Sequence, residues 1–369
     1  MRYYNVNKIL KKDSVYNMIF GERSNGKTYA LLKLAIENKI KHNAEFVYLR
    51  RWRDDVKGWR MKQLFKSLID NDEIEKITKG KYTSVVFKTG MFYLCNYSED
   101  NEPLFNDDDK LGYSFALSEN EHNKSVSYPK VTTIVFDEFI TNHLYLQDEF
   151  VTFMNTVSTI VRSRTNVKIF MLGNTVNKYC IYFKEMGLNH ITDMKQGSID
   201  VYNYGDSKLT VAVEYTASNK LLKPNNYYFA FNNPKLKMIT GGSWQLGIYP
   251  HLPMKYKPKD IKFTYFIIFN DVTYQCEIIF LKNITFTYIH LKTTPIQNPN
   301  SDIIYSLDMN PQANYNVNIL KPRYEFEKKI AWYYNNLKVF YQDNSVGNSI
   351  ANYIKICKRS WYIWMTLFL

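Results

Sequence analysis

Gly21-Glu22-Arg23-Ser24-Asn25-Gly26-Lys27-Thr28 matches the pattern GxxxxGK[ST] in full, between an apolar run, Val15 to Phe20, and a helical pattern running from Gly26 to about Lys41. A strand, a glycine-containing loop and a helix in that order make a phosphate cradle. The glycines let the backbone curl so that its N–H groups point at phosphate, and the helix N-terminus adds a favourable dipole. On this reading Gly21, Glu22, Arg23, Ser24, Asn25 and Gly26 form the loop around ATP. Lys27 neutralises the β- and γ-phosphates, and the Thr28 hydroxyl ligates Mg²⁺.

A second signal lies about a hundred residues downstream, where Thr132-Thr133-Ile134-Val135-Phe136 delivers Asp137 and Glu138 at the end of an apolar strand. Open α/β sheets place ligands at the C-terminal ends of their strands. Asp137 then serves as the second Mg²⁺ residue and Glu138 as the general base that polarises the attacking water. A strand ending in Asp-Glu is common; its pairing with the phosphate loop makes the signal strong, and the Asp-Glu order favours hydrolysis of ATP over simple binding. A third candidate is Asn174, at the tip of Met171-Leu172-Gly173-Asn174. It would sense the γ-phosphate if its strand neighbours the first, and Gly173-Asn174 reads equally well as a turn.

Working outward, the first half alternates strands (Val15 to Phe20, Glu45 to Arg50, Val131 to Phe136, Val167 to Leu172) with helical patterns, which predicts an α/β domain around a mainly parallel sheet. Phe150, Phe153, Met154, Val157, Ile160 and Val161 share one face of a helix from Phe150 to Arg164. VVFKTGMFYLC reads as a hairpin turning near Thr89 and Gly90. The expected domains are 1–204, a Pro- and Asn-containing linker subdomain 205–258, and an α+β domain 259–369. The last holds a three-strand meander turning at Asn270-Asp271 and Lys282-Asn283, with helices over Tyr324 to Tyr334 and Ser349 to Lys358.

The 369 residues are 45% hydrophobic, enough for a sizeable core, and the net charge of +13 with 16% aromatic residues suits a polyanionic partner as well as ordinary packing. Cys95, Cys180, Cys276 and Cys357 show no CxxC spacing, so neither a zinc site nor a disulfide framework is indicated. A signal peptide and a run of roughly 20 apolar residues are both lacking, which predicts a cytosolic protein without a membrane partner. The apolar end SWYIWMTLFL reads as a docked terminal segment.

Two cationic features remain. Arg162 and Arg164 close the amphipathic helix, either as favourable charge at a helix C-terminus or as arginines reaching a neighbouring subunit's nucleotide. Arg50, Arg51, Arg53, Lys57 and Arg60, with Trp52 and Trp59, follow the second strand. They read as a solvated basic face or as sequence-independent contacts to DNA phosphates.

FGERSNGKTYA, FVYLRRW, SYPKVTTIVFDEFI and STIVRSR together resemble the genome-packaging ATPases of phi29-type small tailed phages, through most of the first 180 residues and more weakly beyond. The resemblance implies an ASCE-type P-loop ATPase domain followed by a degenerate RNase H-like nuclease domain. It further implies a homo-oligomeric ring, a pentamer, that drives double-stranded DNA into a prohead at its portal vertex, with a packaging RNA as a possible partner. Such a protein works in the host cytoplasm, visits the portal transiently and is absent from the mature virion. By position, Arg162 falls on the family's arginine finger with Arg164 as the nearby second arginine. Lys124 falls on a lysine at the subunit interface beside the nucleotide, and Arg50 to Arg53 on the basic segment with pore-facing DNA contacts. Glu22 is unusual beside phosphate and is expected to face away. The first meander strand, FTYFIIF, carries no carboxylate and Glu277 is isolated, which argues against two-metal DNA cleavage. Lys255, Lys257, Lys259, Lys321, Arg323, Lys328 and Lys329 are available to a nucleic-acid scaffold. The alternatives are a helicase-like or conjugation-type translocase and a non-hydrolysing, nucleotide-gated DNA-binding module.

Overall fold

The apolar runs of the first half become strands buried on both faces, as a parallel sheet between helices requires. In the computed structural model, which describes residues 4–119, 126–142, 145–191, 193–217, 244, 247–252, 254–282, 284–308 and 310–367 (side chains to 358), the chain divides into units 1–245 and 246–369.

In the first unit, α1 (Asn7–Leu10) and β1 (Tyr16–Gly21) lead into α2 (Lys27–His42) and β2 (Glu45–Arg50). Three short helices follow, α3 (Gly58–Lys62), α4 (Lys66–Ile69) and α5 (Glu73–Thr78), then β3 (Ser84–Lys88), β4 (Met91–Tyr97), β5 (Pro103–Leu104) and β6 (Lys110–Ala116). The unit continues with β7 (Val131–Asp137), α6 (Glu149–Val161), β8 (Lys168–Asn174), α7 (Ile181–Glu185), β9 (Ile199–Asn203) and β10 (Thr210–Tyr215). The sheet order is β3-β4-β6-β2-β7-β8-β1-β10-β9, with β5 on β4 and the run from β6 to β10 parallel throughout. Strand alternation divides the core. Met18, Phe20, Ile134 and Phe136 pack under Phe153, Val157 and Ile160 of α6, while Ile19, Phe46, Tyr48 and Val135 pack under Leu31, Leu32 and Ile36 of α2. The hairpin turns at Thr89 and Gly90, whose φ values of 47° and 81° suit a tight two-residue turn.

Two placements differ from the sequence reading. β6 was not anticipated, and β10, inside the expected linker, is a buried strand paired with β1 from Tyr16↔Val211 to Phe20↔Tyr215. A boundary at residue 204 would therefore split the β9–β10 pair. The stability of β10 comes from parallel pairing with a strand nearly two hundred residues away, which its polar flanks do not advertise. Much of the rest of the expected linker, 218–243, and Lys124 lie outside the described residues.

The second unit contains β11 (Ile261–Phe269), β12 (Val272–Leu281), β13 (Ile284–Leu291), β14 (Ile304–Ser306), β15 (Tyr315–Asn316), α8 (Glu325–Asn335), β16 (Val339–Tyr341) and α9 (Asn344–Leu367). Its order is β15-β14-β11-β12-β13-β16, an antiparallel meander extended by parallel strands at both edges. The meander is the one the sequence predicts for this domain, with its first turn at Asn270 and Asp271. Glu277 is buried there and accepts from Tyr256 Oη (2.5 Å) and Gln275 Nε2 (2.7 Å), with His290 Nε2 at 3.4 Å. No cluster of three metal-ligating side chains occurs among the described residues. All four cysteines are buried and unbridged. Among the described residues no helix is long and apolar enough to cross a membrane. The side chains of SWYIWMTLFL lie outside those described.

Candidate active site

The phosphate loop turns directly off buried β1. Gly21 has φ +151°, and a Cβ there would stand 2.1 Å from Thr216 Oγ1, so only glycine fits. Gly26, at φ +89°, precedes the first turn of α2. Asn25 fastens the loop to the end of β10 by donating from Nδ2 to Thr216 Oγ1 at 3.0 Å. Ser24, Asn25, Gly26, Lys27 and Thr28 line a cavity of about 380 Å³ together with Asp137, Glu138, Gly173 and Asn174. Gly21, Glu22 and Arg23 stand back from it. Glu22 contributes its carbonyl to Lys27 and is itself buried.

Register explains why the three sequence signals converge. β8 lies between β1 and β7, pairing Gly21 with Asn174 and Asp137 with Leu172. The neighbour relation on which the Asn174 reading depended is therefore present. Lys27 Nζ donates to Glu22 O (2.7 Å), Asn25 Oδ1 (3.1 Å) and Asn174 Oδ1 (3.3 Å). All three acceptors are neutral, so a buried ammonium faces the cavity without a directly bonded carboxylate, a donor set that fits a polyphosphate.

Burial pushes the Lys27 pKa down from 10.5 to about 8, with Asp137 and Glu22 opposing the shift. In the folded protein Lys27 thus loses its proton before it does in the unfolded chain. The unfolded state binds more protons between about pH 8 and 10.5, so this group raises stability with pH across that window. A bound triphosphate favours the charged form. The Lys27 contribution to triphosphate affinity is therefore expected to be independent of pH below pH 8 and to weaken by up to about tenfold per unit above it, with proton uptake on binding. Titration calorimetry in buffers of differing ionisation enthalpy would read the uptake; its absence above pH 8 would contradict this assignment.

Thr28 Oγ1 donates to Asp137 Oδ2 at 2.9 Å, and Tyr48 Oη donates to the same oxygen at 3.0 Å. Asp137 Oδ1 accepts the Glu138 N–H at 2.9 Å. A hydroxyl and a carboxylate oxygen held together at the cavity wall suit a hard, oxygen-seeking cation such as Mg²⁺. Glu138 has φ +61°, an uncommon conformation for a non-glycine residue, and its carboxylate is 56% exposed. That carboxylate accepts from Arg50 Nη2 at 2.6 Å.

The cationic segment after β2 separates into different roles. Arg50 binds Glu138 and lies 3.6 Å from Asp55, so it is part of the site rather than a free DNA contact. Arg51 is buried. It donates to Glu149 Oε2 (2.7 Å), Glu138 O (3.1 Å) and Phe139 O (2.9 Å), and its guanidinium lies 4.9 Å from the Tyr145 ring centre. A DNA phosphate cannot reach it, and the expectation for Arg51 is corrected. Its position three strands from the loop, tying the end of β7 to the start of α6, drew it into the interior. Arg51→Ala would strand Glu149 without its cation and is expected to cost about 3–5 kcal/mol, read as a lowered denaturation midpoint. Arg53, Lys57 and Arg60 are exposed beside Trp52 and Trp59, with Arg53 paired to Glu119 and Arg60 to Asp55, each at 2.5 Å.

Arg162 and Arg164 sit at the opposite end of the sheet. Arg164 Nη1 donates to Pro129 O at 3.0 Å and to Val131 O, and Nη2 to Ile160 O at 2.6 Å. It ties the end of α6 to the start of β7, so its guanidinium is held by backbone carbonyls of its own subunit. Arg162 is exposed, has φ +51° and ψ −124°, and donates to Val126 O at 3.1 Å. β7 runs from Val131 to Asp137, so about 20 Å separates this corner from the chain's own site at ~3.3 Å per residue.

Sequence reasoning missed Tyr29, Tyr48, Ser67 and Asn71. Tyr48 was legible as an inward position of β2. Ser67 and Asn71 line the cavity from the helical insert, where no periodic pattern marks them.

Residues 1–220 match the family described as Podovirus DNA encapsidation protein (Gp16). The DNA packaging protein of Bacillus phage PZA is 26% identical over 282 residues, 73% of this chain and 74% of that protein. That of Bacillus phage phi29 is 31% identical over 189 residues, 49% of this chain and about half (50%) of its own length. The bacteriophage phi-29 viral genome packaging motor assembly contains a chain of similar fold, with TM-score 0.56 and 21% identity over 97% of this chain and 98% of the other. The phi-28 gp11 DNA packaging motor gives TM-score 0.54 and 18% identity over 96% and 98%.

Proposed function

Because the chain belongs to the podovirus DNA encapsidation (Gp16) family, we propose that it hydrolyses ATP to drive double-stranded genomic DNA into a phage prohead. One observation carries the reading: Lys27, Thr28, Asp137, Glu138 and Asn174, from three adjacent parallel strands and one loop, line a single cavity.

In this mechanism Lys27 and the loop N–H groups bind and neutralise the triphosphate. Thr28 and Asp137 would hold Mg²⁺, and the ion would supply positive charge to the phosphate oxygens. Asn174 orients Lys27 through their hydrogen bond and lies beside the expected γ-phosphate. Glu138 accepts the proton of the attacking water on the carboxylate oxygen that Arg50 leaves free. The distance of Arg162 from its own site supports a ring in which it serves a neighbour, and the choice of a pentamer rests on the sequence resemblance alone. Arg53, Lys57 and Arg60 with Trp52 and Trp59 form the exposed DNA-facing candidates, and the lone Glu277 supports a non-nucleolytic second unit that docks on the portal or a packaging RNA. Lys124 is proposed for the subunit interface on resemblance alone.

The test is nuclease protection of duplex DNA in purified proheads supplied with this protein and Mg²⁺-ATP. Protection that requires ATP and disappears with Lys27→Ala is the expected result. ATP turnover that duplex DNA and proheads leave unchanged, without protection, would overturn the motor reading.

A further inference from the structure

Glu138 joins an exposed carboxylate to a backbone in the left-handed region, φ +61°, that residues with a side chain avoid. Its position depends on what holds that backbone. The Glu138 N–H donates to Asp137 Oδ1 at 2.9 Å, and its carbonyl accepts from Arg51 Nη1 at 3.1 Å. The next residue is held in the same way. The Phe139 N–H donates to Leu172 O of β8 at 3.1 Å, and Phe139 O accepts from Arg51 Nη2 at 2.9 Å. Phe139 and Ile140 are buried against Gly173, where a Cβ would stand 2.9 Å from Ile140 Cδ1. The turn leaving β7 is thus fixed between β8 on one side and a single guanidinium on the other.

That guanidinium is held in turn. Arg51 Nε donates to Glu149 Oε2 at 2.7 Å, the same oxygen accepts the Leu146 N–H at 2.7 Å, and Glu149 Oε1 accepts from Tyr182 Oη at 2.9 Å. Arg51 and Glu149 are both buried. A buried ion pair seldom stabilises a fold more than apolar packing of the same volume, so stability alone gives little reason for one here. What an apolar side chain could not do is bind two successive carbonyls. The planar fork of an arginine can, while its remaining N–H meets a carboxylate. This fork is spent on the one turn that carries Glu138.

We propose that Arg51, braced by Glu149, is a positioning residue for hydrolysis: it holds the left-handed turn at Glu138 so that the carboxylate is presented to the attacking water. The proposal rests on Glu138 being the general base. Arg51 acts through that residue and not on the nucleotide, since the hydrogen bonds of Lys27 and Thr28 go to Glu22, Asn25, Asn174 and Asp137. Its loss therefore belongs in the chemical step, with binding spared.

The experiment is a double-mutant cycle on the full chain, reading single-turnover hydrolysis, Mg²⁺-ATP affinity and the thermal denaturation midpoint of each protein. Arg51→Lys keeps a cation beside Glu149, but one ammonium cannot reproduce the fork across both carbonyls. It is expected to bind ATP within about twofold of the unaltered chain and to hydrolyse it about 10- to 100-fold more slowly, as a misplaced catalytic group does. In a Glu138→Gln background the same substitution is expected to slow hydrolysis no further, because the base it positions is gone. Glu149→Gln, which keeps an oxygen for Arg51, is expected to lose less than Arg51→Lys, and it carries the same cycle if Arg51→Lys does not fold. An equal loss in both backgrounds, or a loss that appears in ATP affinity, gives Arg51 a purely structural role and overturns the proposal. So does undiminished turnover in the folded Arg51→Lys protein. Full-rate hydrolysis by Glu138→Gln alone is a different failure, that of the general-base reading itself.

Discussion

Glu138→Gln is expected to bind Mg²⁺-ATP with unchanged affinity and to hydrolyse it about 10²–10⁴-fold more slowly. The amide keeps the shape of the side chain and still offers an oxygen to Arg50, but it cannot take the proton of the attacking water. Glu138 makes no hydrogen bond to Lys27 or Thr28; those contacts belong to Asp137, Asn174 and the loop itself. Binding and chemistry should therefore separate at this residue. Single-turnover hydrolysis beside equilibrium nucleotide binding reads both. A variant that loses ATP affinity instead would move Glu138 from the chemical step into the ligand set, and a variant with undiminished turnover would remove it from catalysis.

Arg162→Ala is expected to reduce turnover by about 10³–10⁵ in the assembled protein while each subunit still binds ATP. The loss cannot arise within one subunit, because Arg162 sits about 20 Å from its own cavity by strand length, at the far corner of the sheet. In the proposed ring it is supplied across a subunit interface. Mixing provides the check: a Lys27→Ala subunit retains Arg162 and can complete the site of an Arg162→Ala neighbour, whose Lys27 is intact. Partial recovery of hydrolysis in mixtures of two nearly inactive proteins is the expected outcome. Activity that stays at the weighted sum of the separate populations would sink action in trans. The backbone at Arg162, with φ +51° and ψ −124°, is a conformation glycine adopts more readily. Arg162→Lys is therefore the better control than glycine, since it keeps the charge but not the planar fork.

Local pattern carried a large part of the molecule. GERSNGKT between β1 and α2, the Asp-Glu pair ending β7, the α6 face and the Thr89-Gly90 and Asn270-Asp271 turns each follow from chemistry within a few residues, and each stands where the pattern put it. Contacts between distant segments were another matter. Whether Asn174 was a turn or a cavity residue depended on β8 lying beside β1, a pairing of residues some 150 positions apart. β10 looked like linker because its partner is nearly two hundred residues away. The arginines show the limit most clearly. Five residues that look alike after β2 are sorted by burial and by the nearest carboxylate into a core tie at Arg51, a partner for Glu138 at Arg50 and exposed cations at Arg53, Lys57 and Arg60. Charge, composition and spacing are properties of the chain in order, and they name the phosphate chemistry. Which cation is buried, which strands are neighbours and which residues share a cavity are set by how the sheet brings far segments together.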